Sequence, residues 1–130
     1  MPKALREGFP PASVAPLLTA ILLVISPAPA AGHAILVHSS LQDGPVQPET
    51  PTGVTLRFNA AIEVTLSRAL LVTGKGEERP LSVAPGARPG EMLVRLPALP
   101  AGRYGLRYKV LAADGHLTDD IVRFSISVPR

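Results

Sequence analysis

A regular alternation of apolar and basic residues near the carboxyl end of the chain constrains its fold most strongly. The apolar set is Tyr104, Leu106, Tyr108 and Val110, and the basic residues that fall between them include Arg103, Arg107 and Lys109. Successive side chains of a β-strand point to opposite faces, so this pattern predicts a strand with one buried and one solvated face. The same alternation returns at Val122, Phe124, Ile126 and Val128. No segment after residue 33 sustains a helical period, and the pattern therefore indicates an all-β protein.

Shorter segments of the same kind occur earlier in the chain, with turn residues about every ten positions. They cover residues 34–38, 54–58, 66–72, 80–83 and 92–96. Pro80 favours an edge position for its segment, because proline cannot donate to a strand ladder. The approach to Tyr104 through a Pro-Ala-Gly segment is typical of a tyrosine corner, which is a structural feature of sandwiches. About seven strands of this kind predict an immunoglobulin-like β-sandwich.

The first 32 residues have the order of regions found in a secretory signal peptide. Lys3 and Arg6 precede an apolar run at 17–25, and small residues end the segment at Ala30-Ala31-Gly32. The apolar run is about half of the roughly 20 residues that a membrane span requires, so a retained anchor is the weaker interpretation. Cleavage after Gly32 would leave His33 as the first residue, although cuts after Ala30 or Ala31 also fit. We therefore expect a signal peptide at 1–32 and one domain at 33–130.

Composition excludes several classes of function. The chain has no cysteine, so neither disulfides nor thiolate metal sites are available to the exported domain. The net charge is only +3 and the charges are scattered, which argues against a nucleic-acid partner. No second long apolar run follows the leader. We expect the mature protein to be a soluble monomer.

Two of the three histidines have a specific reason to bind a metal ion. At a mature amino terminus, His33 would offer an α-amine with a pKa near 8 and an imidazole in one residue. The segment Asp114-Gly115-His116 joins two long alternating strands, and a tight loop could direct its carboxylate and imidazole to one point. The alternatives are a frayed first residue and a simple hairpin turn.

The other candidate residues favour ordinary surface roles. His38 is an odd number of positions from His33, so along a strand it should point to the opposite face and be solvated. Asp119 and Asp120 lack the oxygen-rich loop of a calcium site, which predicts a solvated turn.

Several segments together resemble the bacterial CopC-type periplasmic copper-binding domains. They are HAILVHSS at 33–40, VTLRF at 54–58, AGRY at 101–104 and YKVLAADGH at 108–116. The resemblance covers essentially the whole mature chain. Its most specific elements are the Gly-x-Tyr followed by Asp-Gly-His, and a histidine at the cleavage point.

The resemblance implies a Greek-key β-sandwich that binds Cu(II) through the terminal amine and imidazole of His33 together with Asp114 and His116. It also implies a periplasmic role in copper homeostasis or resistance, beside a CopD-type inner-membrane copper transporter. An amine, two imidazoles and a carboxylate are the nitrogen and oxygen ligands that suit Cu(II).

This chain departs from the family pattern at several positions. Ala60 stands where a glutamate near the copper is frequent, which leaves Glu63 or water to complete the site. Leu117 and Asp120 replace a frequent proline and glycine, so the loop shape can differ. Some relatives bind Cu(I) through methionine-rich segments, whereas only Met92 remains after processing, on a strand where a core role is expected.

The expected function is that of a Cu(II) carrier or buffer, not an enzyme. Two alternatives remain open at this point. One is a small copper monooxygenase of the lytic polysaccharide type, although the mature chain is short and the carboxylate would fill a position that oxygen needs. The other is an exported module that binds a protein and no metal.

Overall fold

The computed structural model describes Gly8, Pro11 and residues 33–130, which form seven β-strands. The strands are β1 (Leu36–Ser39), β2 (Thr52–Phe58), β3 (Arg68–Val72), β4 (Glu78–Pro85), β5 (Glu91–Leu96), β6 (Gly102–Leu111) and β7 (Leu117–Ile126). Two 3-10 turns lie at Ser40–Gln42 and Val64–Leu66. The all-β prediction is confirmed. Apart from Gly8 and Pro11, the predicted signal peptide at 1–32 lies outside the described residues, and no helix in the described part is long and apolar enough to cross a membrane.

All strand pairs are antiparallel, in the order β1-β2-β5-β4-β3-β6-β7. Strand β4 is shared by the two sheets of the sandwich. Its residues 78–81 pair with β3, and its residues 82–85 pair with β5. Each half of β4 therefore has one unpaired side. The prediction of an edge at Pro80 holds only locally, because β4 is central in the strand order and Pro80 has a partner, Leu70, on one side.

The core lies between the sheets and consists of the alternate residues that the sequence pattern singled out. The largest side chains with less than 2% exposure are Leu56, Leu71, Met92, Leu96, Leu106, Val54, Val94 and Val110. Burying a side chain of this size contributes about 1.5–3 kcal/mol relative to leaving it exposed. Met92 is fully buried between Leu56 and Pro85 in the strand register, which confirms the predicted core role.

The structural role expected for Tyr104 is also confirmed. Its hydroxyl donates a hydrogen bond of 2.7 Å to the carbonyl oxygen of Pro100, and its ring stacks on Phe124 at a centroid distance of 5.6 Å. These contacts fasten the loop before β6 to the two longest strands. They lie at the end of the β6–β7 pair that is opposite to the hairpin loop.

Asp119 and Asp120 are exposed as expected, but the predicted turn is wrong, because both residues lie within β7. Arg107 donates to both carboxylate oxygens of Asp119 at 2.9 Å, and it donates to Glu78 at 2.7 Å. The carboxylate of Asp120 accepts the backbone N–H of Ile121 at 2.8 Å. Cross-strand ion pairs of this kind offset the poor strand propensity of aspartate on a wet face.

Besides the start of the first strand, which is Leu36 instead of Ala34, two predicted strand boundaries need correction. The third strand begins at Arg68, because residues 64–66 form a 3-10 turn instead of extended chain. The last strand ends at Ile126, and Val128 beyond it is 68% exposed. In both places an apolar residue keeps the alternating pattern without a neighbouring strand to pair with.

Candidate metal centre

The β6–β7 hairpin has a short loop whose conformation is fixed by its own backbone. The N–H of Ala112 donates to the carbonyl of His116 at 2.8 Å, and the N–H of Gly115 donates to the carbonyl of Ala112 at 2.9 Å. Gly115 has a φ of 93°, which side-chain-bearing residues rarely adopt. A turn followed by a glycine at positive φ is typical of three-residue hairpin loops. The loop thus presents Asp114 and His116 from its tip.

The Asp114 carboxylate holds His116 through two contacts. Its Oδ1 accepts the backbone N–H of His116 at 3.0 Å, and its Oδ2 lies 3.2 Å from the Nδ1 of the His116 ring. The backbone hydrogen bond from His116, with smaller contributions from the rings of His116 and His33, lowers the pKa of Asp114 below its ordinary value. The group is therefore a carboxylate at neutral pH, and Nε2 is the ring nitrogen of His116 that this contact leaves available.

His33 lies beside this loop, although the two are about 80 residues apart in the sequence. The centroids of the His33 and His116 rings are 5.3 Å apart, with the planes at 74°. The next residue, Ala34, is fully buried and so anchors the segment before β1. The structure therefore brings together all three residues that the sequence singled out, His33, Asp114 and His116.

The three side chains are neighbours without yet forming a closed cage. Among the described residues, no three histidine, aspartate or glutamate groups are arranged as a ready metal site. The His116 side chain is 47% exposed and that of Asp114 is 29% exposed, so both are accessible from solvent. The chemistry of the donors fits a nitrogen and oxygen site of the kind that Cu(II) prefers. The Asp114 carboxylate lies against Nδ1 of His116, so it would have to move to share an ion with the other ring nitrogen.

The remaining candidates lie apart from this centre. His38 is half-buried, not fully solvated as expected, and its Nε2 lies 3.1 Å from the carboxylate of Asp43. Glu63 is exposed, and within residues 33–130 no hydrogen bond or ion pair joins its carboxylate to His33, Asp114 or His116. Its backbone instead holds the loop that follows β2, where its N–H donates to Leu111 at 2.8 Å.

One residue of the site region was missed from the sequence. Asn59 follows β2 directly, and its side chain and backbone both bond to Ile35, two residues after His33. Asparagine side chains at strand ends commonly bond backbone groups. That general tendency was the available signal, although it does not identify the partner.

Comparison with known families identifies the family of this chain. A family model described as the CopC domain matches residues 36–127. The chain belongs to the CopC domain family. The match begins just after His33 and includes the hairpin loop with Asp114 and His116. The resemblance found in the sequence is confirmed, together with the fold.

Solved structures of the CopC family superpose on this chain. CopC from Methylosinus trichosporium OB3b is 25% identical with a TM-score of 0.65, over 75% of this chain and 97% of that one. PcoC from Escherichia coli, described as a methionine-rich copper resistance protein, is 25% identical with a TM-score of 0.57, over 74% and 100% of the two chains. No curated protein matches the sequence. The chain therefore has the fold of CopC copper resistance proteins, at low sequence identity.

Proposed function

We propose that the processed protein binds one Cu(II) ion through the α-amine and imidazole of His33, the carboxylate of Asp114 and the imidazole of His116. The observation that carries the proposal is the proximity of the two imidazole rings, at 5.3 Å between centroids, beside a carboxylate. Two halves of a chelate are thereby held near each other by the fold before the ion arrives. Preorganisation of this kind lowers the entropic cost of binding.

Copper in its divalent state is favoured over other ions by the donor types. Two imidazoles, an amine and a carboxylate supply a tetragonal nitrogen and oxygen set. A given site of this kind usually binds Cu(II) more tightly than the other divalent first-row ions. Met92 is the one remaining thioether of the domain and is fully buried, so it is not available at the surface to bind Cu(I).

The role we propose is that of a periplasmic carrier or buffer rather than a catalyst. Both side chains of the hairpin loop are exposed to solvent, so a bound ion could be passed to another protein without unfolding. A CopD-type inner-membrane copper transporter is the partner that the family resemblance suggests. The carboxylate of Asp114 would occupy a coordination position that a copper monooxygenase keeps open for oxygen.

Titration with Cu(II) tests the proposal when two forms of the protein are compared. One form begins at His33 with a free α-amine, and the other is the same chain with that amine acetylated. Acetylation preserves every side chain but converts the amine into an amide, so we expect it to lose most of the affinity while remaining folded. His116→Ala, in the form that begins at His33, should also weaken binding strongly.

The same titration tests the location of the site and the metal-free alternative, and an activity assay tests the monooxygenase alternative. Equal affinity and unchanged copper spectra in all three proteins would show that the site lies elsewhere. Absence of Cu(II) binding by the form that begins at His33 would favour a metal-free interaction module. Oxidation of a polysaccharide by the copper-loaded protein with a reductant and an oxygen source would favour the monooxygenase.

A further inference from the structure

We propose that Asn59 is a positioning residue that holds His33 against the Asp114-Gly115-His116 loop. The part of this inference that concerns copper affinity rests on the proposed function. The part that concerns the placement of His33 does not, because it can be measured in the metal-free protein.

The first step is the double hydrogen bond between Asn59 and Ile35. The Ile35 backbone N–H donates to Oδ1 of Asn59 at 2.8 Å, and the Asn59 backbone N–H donates to the Ile35 carbonyl at 2.9 Å. Strand β1 begins only at Leu36, which pairs with Phe58. The Asn59 side chain thus continues the β1–β2 pairing past the start of the strand. Ile35 is the last residue held this way before His33.

The second step is that the same loop also holds the hairpin. The Ala61 carbonyl accepts the N–H of Ala113 at 3.0 Å, and Ile62 forms an isolated bridge with Ala112. The Glu63 N–H donates to the Leu111 carbonyl at 2.8 Å. We call residues 59–63 the linking loop. It is bonded at one end to the segment that carries His33 and at the other to the segment that carries Asp114 and His116.

The third step concerns which group bonds to the backbone N–H of Ile35 when the Asn59 side chain is removed. Ile35 is 60% exposed, so water can satisfy its N–H and the domain has no buried unpaired group to penalise folding. Residues near a chain terminus fray unless they are tied down. Loss of the Oδ1 acceptor should therefore free His33 more than it unfolds the sandwich. If His33 occupies the binding position for a smaller fraction of the time, the apparent affinity falls by that fraction.

A net hydrogen bond is worth about three- to tenfold in an equilibrium constant. We expect Asn59→Ala to weaken Cu(II) binding by about that factor, in the form that begins at His33. Asn59→Asp keeps an acceptor oxygen in the same place, and it should retain the affinity. Ser40→Ala is the control, because Ser40, in the 3-10 turn after β1, accepts the backbone N–H of Thr55 in β2 at 2.9 Å through its Oγ without reaching the linking loop. This bond is more buried than that of Asn59, so its loss should cost at least as much stability while leaving copper binding unchanged.

The metal-free readout is the proximity of the two rings in NMR spectra. Nuclear Overhauser contacts between the His33 and His116 rings should be present in the wild-type protein, in Asn59→Asp and in Ser40→Ala. They should weaken or vanish in Asn59→Ala, together with faster hydrogen exchange at Ile35. Ring contacts in Asn59→Ala as strong as in the wild type would overturn the inference, whatever the protein does with copper.

A second comparison tests whether Asn59 acts through His33. In the form whose His33 α-amine is acetylated, the amine ligand is already lost, so Asn59→Ala should have a smaller effect on copper binding. An undiminished effect there would mean that Asn59 supports the hairpin instead, and the inference would be wrong. Failure of the proposed function has a different signature, namely that the wild-type protein beginning at His33 does not bind Cu(II) while its ring contacts still depend on Asn59.

Discussion

The imidazole rings of His33 and His116 lie with their centroids 5.3 Å apart at an angle of 74°. His33 precedes β1, which is the outer strand of one sheet, and His116 precedes β7, which is the outer strand of the other. The proximity of the rings therefore depends on the whole sandwich rather than on either local segment. An unfolded chain would present the two halves of the proposed chelate separately.

This dependence predicts that Cu(II) stabilises the folded protein. A ligand at 100 times its dissociation constant contributes about 2.7 kcal/mol when it binds only the folded state. The gain should be somewhat smaller here, because an unfolded chain keeps the amine and ring of His33. Urea unfolding of the form beginning at His33, with and without Cu(II), measures the effect. His116→Ala should remove most of it, and a gain unaffected by that substitution would place the ion elsewhere.

Export should remove residues 1–32 and expose the amine of His33. The physical reason is the order of charged, apolar and small residues in the leader, together with the need of the chelate for a free amine. Intact-mass measurement of protein from the exported fraction identifies the first residue. A mature start at Ala31 or Gly32 would leave His33 with an amide nitrogen and would contradict the proposed site.

Asp114 provides a test that depends on pH. Its pKa is lowered in the folded protein, chiefly by the backbone N–H of His116. A lowered folded pKa means that the carboxylate contributes stability above its unfolded pKa of about 4, and that this contribution is lost as the pH falls through the lower folded value. The wild type should therefore be more stable than Asp114→Asn at pH 7, and the difference should shrink as the pH falls below about 4. Denaturant unfolding across this range measures it, and a difference that does not depend on pH would contradict the assignment.

The affinity for Cu(II) should fall in a higher pH range than the one in which the Asp114 carboxylate loses its contribution to stability. The α-amine, with a pKa near 8, and the imidazoles must lose protons to bind the ion, so binding should weaken progressively as the pH falls below about 8. The Asp114 carboxylate is already ionised there. A titration of Cu(II) affinity between pH 5 and 8 separates the nitrogen donors from the carboxylate.

Most of the fold could be predicted because the alternation of apolar and polar residues that indicates a strand is a local pattern. Alternation in β5 and β6 assigned Met92, Val94, Leu106 and Val110 to the core, and each of them is buried. The errors came where long-range partners decide. The sequence predicted a turn at Asp119 and Asp120. Instead, Arg107 on the adjacent strand pairs with Asp119 and stabilises it within β7.

The candidate site was predicted from residue chemistry and from the family resemblance, and the structure adds the contacts between segments. Spacing alone placed Asp114 and His116 on one loop, but it could not show that the Asp114 carboxylate contacts the His116 ring. The bonds between Asn59 and Ile35 join two strands through one side chain. No local pattern specifies such a pair, because the register of β1 against β2 is set by the fold.

The processed protein should retain Cu(I) weakly, because that ion prefers thiolate and thioether ligands. The domain has no cysteine, and Met92 is fully buried in the core. Competition with a Cu(I) chelator measures the affinity. Met92→Leu conserves volume, so it should cost less than about 1.5 kcal/mol of stability and leave Cu(II) binding unchanged. Tight Cu(I) retention that Met92→Leu abolishes would contradict this prediction.

Gly115→Ala tests whether the conformation of the hairpin loop matters for copper. Gly115 has a φ of 93°, and a Cβ there would meet no atom within 4 Å, so alanine adds backbone strain of about 1–2 kcal/mol without a clash. Relief of that strain should move His116 relative to Asp114.

Gly76 is a matched control, because it has a φ of 83° and equally open surroundings in the β3–β4 turn. The β3–β4 turn packs near the start of β6, whereas the hairpin loop follows the end of β6. Ten extended residues span about 30 Å, so Gly76 lies far from the proposed site. Both variants should lose similar stability in urea, while only Gly115→Ala should weaken Cu(II) binding. Equal copper affinities in the two variants would show that the loop can bind the ion without this conformation.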